Sequence, residues 1–210
     1  MTDKSVFTLV NKSNGNLAFK VLSFADNSYF DHLQRQNYYS VIIITKGSGH
    51  LKSDFSEYDF TERAMLFFTP YQPFMITAMD ELVGVAIQFH PDFFCIYKHQ
   101  REVACHGVLF NNIYQPPFMT IAEKELKIFL DIIEQIKVEM QKTELAQFEL
   151  LVSYLKIFLI NASRIKTAQD PEIKMDETAK EPFILHKLKN AIEDHYRTKS
   201  SKLECFFNSS

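Results

Sequence analysis

The hydrophobic period of this chain changes once, close to Thr120, and that change limits what it can fold into. Before it, apolar residues come in short runs broken by turn residues; after it, they recur every third or fourth position. Candidate strands are Phe19–Phe24, Tyr29–Leu33, Tyr38–Thr45, His50–Asp54, Glu57–Phe60, Ala64–Phe68, Phe74–Ala78 and Leu82–Phe89. Asp26-Asn27, Gln36-Asn37, Gly47-Ser48-Gly49, Thr69-Pro70 and Asp80-Glu81 supply the turns. Many short strands at this spacing predict a sandwich or barrel. Within it, Val41-Ile42-Ile43-Ile44-Thr45 favours extended backbone, and the glycines after Lys46 favour a tight reversal. Pro91-Asp92-Phe93-Phe94 reads as a short helix opening.

The helical half begins with Thr120 and Glu123, spaced as a capping box. On the first helix, expected over 120–142, Leu126, Phe129, Leu130, Ile133, Ile136 and Met140 share a face, widened by Ile121, Ile128 and Ile132. A second helix, expected over 144–164, carries Leu145, Phe148, Leu151, Val152, Leu155, Phe158, Leu159 and Ala162 on one side. Leu150, Tyr154 and Ile157 lie on its other side. A helix apolar on two sides must bury both. Either the pair lies within one core, or one side meets the β half and the other a second subunit. Residues 165–181 are charged and poor in large apolar side chains, which marks a linker. After Pro182 a further amphipathic segment carries Leu185, Leu188, Ile192 and Tyr196 on one face, and the sequence given stops at Ser210.

Composition narrows the class. Of 210 residues, 46% are hydrophobic, with 20 Phe and 9 Tyr, enough for a sizeable core. A formal net charge of −3 argues against a self-sufficient nucleic-acid binder. No run approaches the roughly 18 apolar residues of a membrane span, no secretory leader is visible, and three cysteines without a C-x-x-C pair fit a reducing compartment. A cytoplasmic protein without membrane contact is expected.

The order of these pieces, with "NYYSVIIITKGSGHL", "ERAMLFFTPYQPFMI" and "VAIQFHPDFF", resembles the AraC-type family of bacterial transcription regulators over roughly residues 15–197. The resemblance implies an α+β chain: a cupin-like antiparallel β-barrel of jelly-roll type that senses a ligand (1–118), a helical dimerisation hairpin (119–165), a linker (166–181) and a short C-terminal helix opening a truncated helix-turn-helix domain (182–210). It implies a ligand contact at Lys46, which precedes the first glycine. Tyr39, Phe74, Ile76, Ala86 and Gln88 are the further candidates for ligand contact, and Leu150, Tyr154, Ile157, Ile128 and Ile132 for dimerisation. Partners would be a small apolar or aromatic ligand and a second copy or a related regulator. DNA would be bound only through a domain missing from this chain, so no specific footprint is expected from it.

Catalysis would need a different set of residues. Cupin enzymes hold a metal with two or more histidines and a carboxylate. Here only His50 follows Gly49, and the proline turn reads Pro70-Tyr71-Gln72-Pro73-Phe74, without a histidine. His90, Cys95, His99, Cys105 and His106 have poor zinc spacing, and no nucleophile elbow or phosphate loop occurs. Neither an enzyme nor a cofactor is expected, a degenerate cupin isomerase or dioxygenase being the alternative. The strand Val83–Gln88, with Phe74, Met75 and Ile76, reads as an apolar interior: a solid core or an apolar ligand pocket.

Overall fold

The period-two half forms two antiparallel sheets. The computed structural model describes residues 5–11, 15–96, 99, 108–110 and 115–169. The larger sheet joins β1 (Val6–Val10), β2 (Leu17–Phe24), β3 (Tyr39–Lys46), β6 (Ala64–Phe68), β8 (Val83–Phe89) and β9 (Phe118–Thr120) in the order β1-β2-β8-β3-β6-β9. The smaller joins β4 (Gly49–Ser53), β5 (Ser56–Phe60) and β7 (Phe74–Ala78) in the order β5-β4-β7. A single bridge from Gln34 to Phe74 lays one more extended segment beside β7. From β2 to β8 the chain crosses between the sheets at every step except the β4–β5 hairpin, and the orders β2-β8-β3-β6 and Gln34-β7-β4-β5 are those of a double-sheet jelly roll. Among the described residues each strand ladder stays within its own sheet, so the expected barrel is a sandwich.

Both faces of the larger sheet are covered, which explains the unbroken apolar run in β3. Every residue from Tyr39 to Ile44 is buried. Ile42 and Ile44 turn toward the smaller sheet and pack with Leu22, Phe68, Ala86, Leu51, Phe74 and Ile76. Val41 and Ile43 turn the other way and join Phe19, Phe67, Val85 and Ile87 against the helices. Those helices are α1 (Glu123–Met140) and α2 (Gln147–Gln169). Phe129, Ile133 and Ile136 of α1 and Leu151, Leu155 and Phe158 of α2 are fully or almost fully buried there. The rings of Phe129 and Phe158 meet with centroids 4.8 Å apart. Burying each such ring is worth roughly 2–3 kcal/mol, so this seam holds the hairpin to the sheet.

Local chemistry sets the connections. Gly47 closes the β3–β4 hairpin with φ +95°, and a Cβ there would stand 2.4 Å from the Glu81 carbonyl oxygen. Glycine is needed on both counts. The α1 cap is shifted from the expected Thr120–Glu123 pair: Thr120 ends β9, and the backbone N–H of Ala122 donates to Glu125 Oε2 at 2.7 Å. At the other end, Gln147 Nε2 donates to the carbonyls of Glu139 and Lys142, satisfying the exit of α1.

Other expectations change. Tyr29–Leu33 is a turn rather than a strand, because Phe30 drops into the sandwich and Gln34 makes the only described bridge of that segment. Residues 91–93 make a turn and not a helix. Helix α2 runs to Gln169, past the expected boundary at 165, because Lys166 is buried instead of solvated. The first compact unit ends at Ala168. The segment after Pro182 and the remainder of the linker lie outside the described residues.

Candidate functional site

Register, not composition, sorts the sequence candidates. Phe74, Ile76 and Ala86 lie together between the sheets, and Gln88 shares their face of β8. Tyr39 faces the helical side, stacked on Phe89 at 5.2 Å and edge-on to Phe110 at 5.0 Å. Lys46 stands at the exposed end of β3 and is ion-paired with Glu81. That pair raises the lysine pKa and lowers the glutamate's, chiefly through the hydrogen bond between them. Lys46 therefore faces solvent. Val85 and Ile87, read as interior, belong to the helical core.

The interior itself is filled. Phe68 and Phe74 stack face to face from opposite sheets, centroids 3.7 Å apart and planes within 4°. Phe24 and Phe74 both pack against Phe30, at 5.2 and 6.2 Å. Of the two readings, solid core or hollow pocket, these contacts favour the solid core at the centre of the sandwich.

One end is polar. Lys20, Gln88, Ser40 and Phe68 form a single cross-strand row on the interior face of the larger sheet. Gln88 is 1% exposed; its Nε2 donates to Ser40 Oγ at 3.5 Å and its Oε1 has no protein partner. Lys20 Nζ donates to Tyr29 Oη at 2.7 Å. Burial, then the neighbouring Tyr29, pushes the Tyr38 phenol well above its ordinary pKa. Gln88 is the sequence candidate that falls in this row. Lys20, Tyr29, Tyr38 and Ser40 were missed, although positions 38 and 40 share the parity of Ile42.

Open space lies outside the interior. A groove of about 560 Å3 runs where β5 and β9, the free edges of the two sheets, approach each other, beside the Thr69–Pro73 loop and Lys166 of α2. A second cleft of about 470 Å3 lies between the β1–β2 turn, His90 and the start of α2 at Gln147 and Phe148. Neither was legible in the sequence, since each is assembled from distant segments.

The described histidines do not converge. His50 points away from the interior, its Nδ1 2.6 Å from Asp59 and its Nε2 3.5 Å from Glu57. The His99 ring stacks on Phe94 at 4.8 Å, and His90 Nδ1 stands 3.3 Å from Asp92. Among the described residues no group of three or more His, Cys, Asp or Glu is placed to hold a metal; Cys105 and His106 lie outside them. Hydrogen bonds to Asp59 and then Glu57 raise the His50 pKa above 6.5, and those from Lys52 and then His50 lower that of Glu57 below 4.5. The raised histidine stabilises the fold below about pH 6.5, and that share is lost as pH climbs through the folded value. The lowered glutamate stabilises it above about pH 4.5, and that share is lost on acidification. Thermal melts of His50→Gln should therefore show a small deficit against the parent between about pH 5 and 6 that closes by about pH 9. An equal deficit at both ends would assign His50 a packing role.

Comparison with known proteins gives fold likeness only. No family model and no curated protein matches. Among solved structures, the AraC-like transcriptional activator CuxR is 7% identical, over 70% of this chain and 49% of its own, with a TM-score of 0.42. Oxalate decarboxylase from Bacillus subtilis is 15% identical over 35% and 21%, with a TM-score of 0.30. An RmlC-like cupin family protein from Methanocaldococcus jannaschii is 17% identical over 44% and 85%, with a TM-score of 0.32. The chain thus spans about a fifth of the decarboxylase and about half of the activator. These scores stay below 0.5, and the jelly roll rests on the strand order; the similar structures include both a regulator and an enzyme.

Proposed function

We propose that this chain is the sensing and pairing part of an AraC-type transcription regulator, without catalysis of its own. The observation that carries the reading is the outer side of the helical hairpin. Its inner side is sealed against the sheet, yet Ile128, Leu150 and Ile157 remain 50%, 40% and 48% exposed. Ile132 and Tyr154 are partly covered at the margin of the inner core. Apolar side chains left exposed on the outer side of a packed hairpin mark an interface, and a two-fold axis lets the same surface meet itself. The partner is a second copy or a related regulator. In this reading DNA contact belongs to a helix-turn-helix domain, not to the jelly roll or the hairpin. No helix of the described residues is long and apolar enough to cross a membrane.

The filled interior supports the non-catalytic half of the reading. The proline turn carries Phe74 where the cupin metal motif carries a histidine, and Phe74 packs in the interior with Phe68, Ile76 and Ala86. The experiment is Leu150→Glu with Ile157→Glu, both on solvent-facing positions. The expected product is a folded monomer with the parent's circular dichroism. Retention of the parent's molecular mass, or a misfolded product, contradicts the proposal.

A further inference from the structure

We infer that the cleft beside the β1–β2 turn binds a small arylalkyl ammonium, with its charge at Asp92 and Gln147 and its ring against Phe148. The cleft's volume of about 470 Å3 falls within the range of small-molecule sites. Its walls leave apolar surface open. Phe148 shares a helical stripe with Leu151, Leu155 and Phe158, which are buried, yet it stays 47% exposed. Val10 of the edge strand is 48% exposed, and Leu9 and Leu17 are only partly covered. Phe93 meets the Phe148 ring edge-on, centroids 5.0 Å apart, and so backs that ring at the cleft wall.

Charge gives the ligand its sign. Among the described residues lining the cleft Asp92 is the one carboxylate, and no lysine or arginine joins it. Its side chain is 63% exposed, with His90 Nδ1 3.3 Å from Oδ2. That ring nitrogen also accepts from the Asp92 backbone N–H at 3.2 Å. A nitrogen that accepts carries no proton, so the imidazole is neutral and the carboxylate keeps its charge. Gln147 adds a second acceptor. Its Nε2 donates to the carbonyls of Glu139 and Lys142, which fixes the side chain and leaves Oε1 to accept. The Lys142 ammonium is itself paired to Glu139 at 3.2 Å. Hydrogen bonds from an ammonium to a carboxylate are about twice as strong as neutral ones, and an exposed aromatic face attracts a cation as well.

A ligand here would bridge the edge of the larger sheet and the start of α2. Its role as the effector of a sensor rests on the proposed function; its binding does not.

The test is a nuclear magnetic resonance titration of the whole chain with 2-phenylethylammonium and with neutral 2-phenylethanol. At about pH 8 the alkyl ammonium is charged and an ordinary imidazole is neutral. The ammonium is expected to saturate with a Kd of about 1 mM, moving the signals of His90, Asp92 and Gln147, and the alcohol to bind at least about fivefold more weakly. Asp92→Asn, at an exposed position, should keep the melting temperature and bring the two affinities together. Phe148→Ala should weaken both ligands about threefold. No saturable shift at those residues up to about 20 mM overturns the site. Equal affinities in the parent, or a preference for the ammonium that survives in Asp92→Asn, overturn the class of ligand. A dimeric chain that does not bind the ammonium refutes this inference alone, and an ammonium-binding monomer refutes the pairing alone.

Discussion

Gly84→Ala is expected to destabilise the jelly roll by about 3 kcal/mol or more, measured by urea denaturation. Gly84 sits in β8, opposite Phe24 on one neighbouring strand and Ile44 on the other. A Cβ there would stand 2.2 Å from the Ile43 carbonyl oxygen and 2.5 Å from Phe24 Cζ. The phenyl ring can yield a little. The carbonyl belongs to β3, whose residues from Tyr39 to Ile44 are buried between two packed layers. Relief therefore requires moving β3 against the smaller sheet on one face and the helices on the other, and close-packed interiors resist such shifts. A loss below about 1 kcal/mol would mean that the central strands are looser than their burial indicates.

Phe68→Ala should cost a comparable amount, about 3–5 kcal/mol. Phe68 is 1% exposed and stacks on Phe74 of the other sheet, so the substitution removes the contact joining the two layers at that level. Neighbouring Ile42, Leu66 and Phe74 are anchored in their own strands and cannot fill the space without strand movement. The cavity left would be apolar, and small aromatic molecules such as benzene should raise the variant's melting temperature but not the parent's. Benzene stabilising the parent equally would show that the interior is already hollow, which would reverse the account of a filled sandwich.

The strands that alternate or are bounded by turn residues were legible, and so was the change to helical period. The faces of the buried strands were not. Val83–Phe89 is apolar or small at nearly every position because both its sides are covered, so parity leaves no trace in the residue types. Register with β2 and β3 places Ala86 and Gln88 on one side and Val85 and Ile87 on the other. The same run hides the orientation of Tyr39, a candidate for ligand contact that the register turns to the helical side. Strand β1 was overlooked because Val6, Thr8 and Val10 are exposed on an edge, where pairing with β2 rather than burial decides the conformation. Lys166 read as linker by composition, since a single lysine among charged neighbours gives no sign that the helix continues and buries it. The groove was invisible for a simpler reason: Tyr58, Phe110 and Lys166 are brought together only by the finished fold.

The pairing of two hairpins is the claim on which the functional reading depends, and sedimentation equilibrium of the unmodified chain at tens of micromolar tests it most directly. The account predicts a species of about twice the 24.5 kDa chain mass, dissociating on dilution and when Leu150 and Ile157 are made acidic. A single species at the chain mass across that range would contradict it.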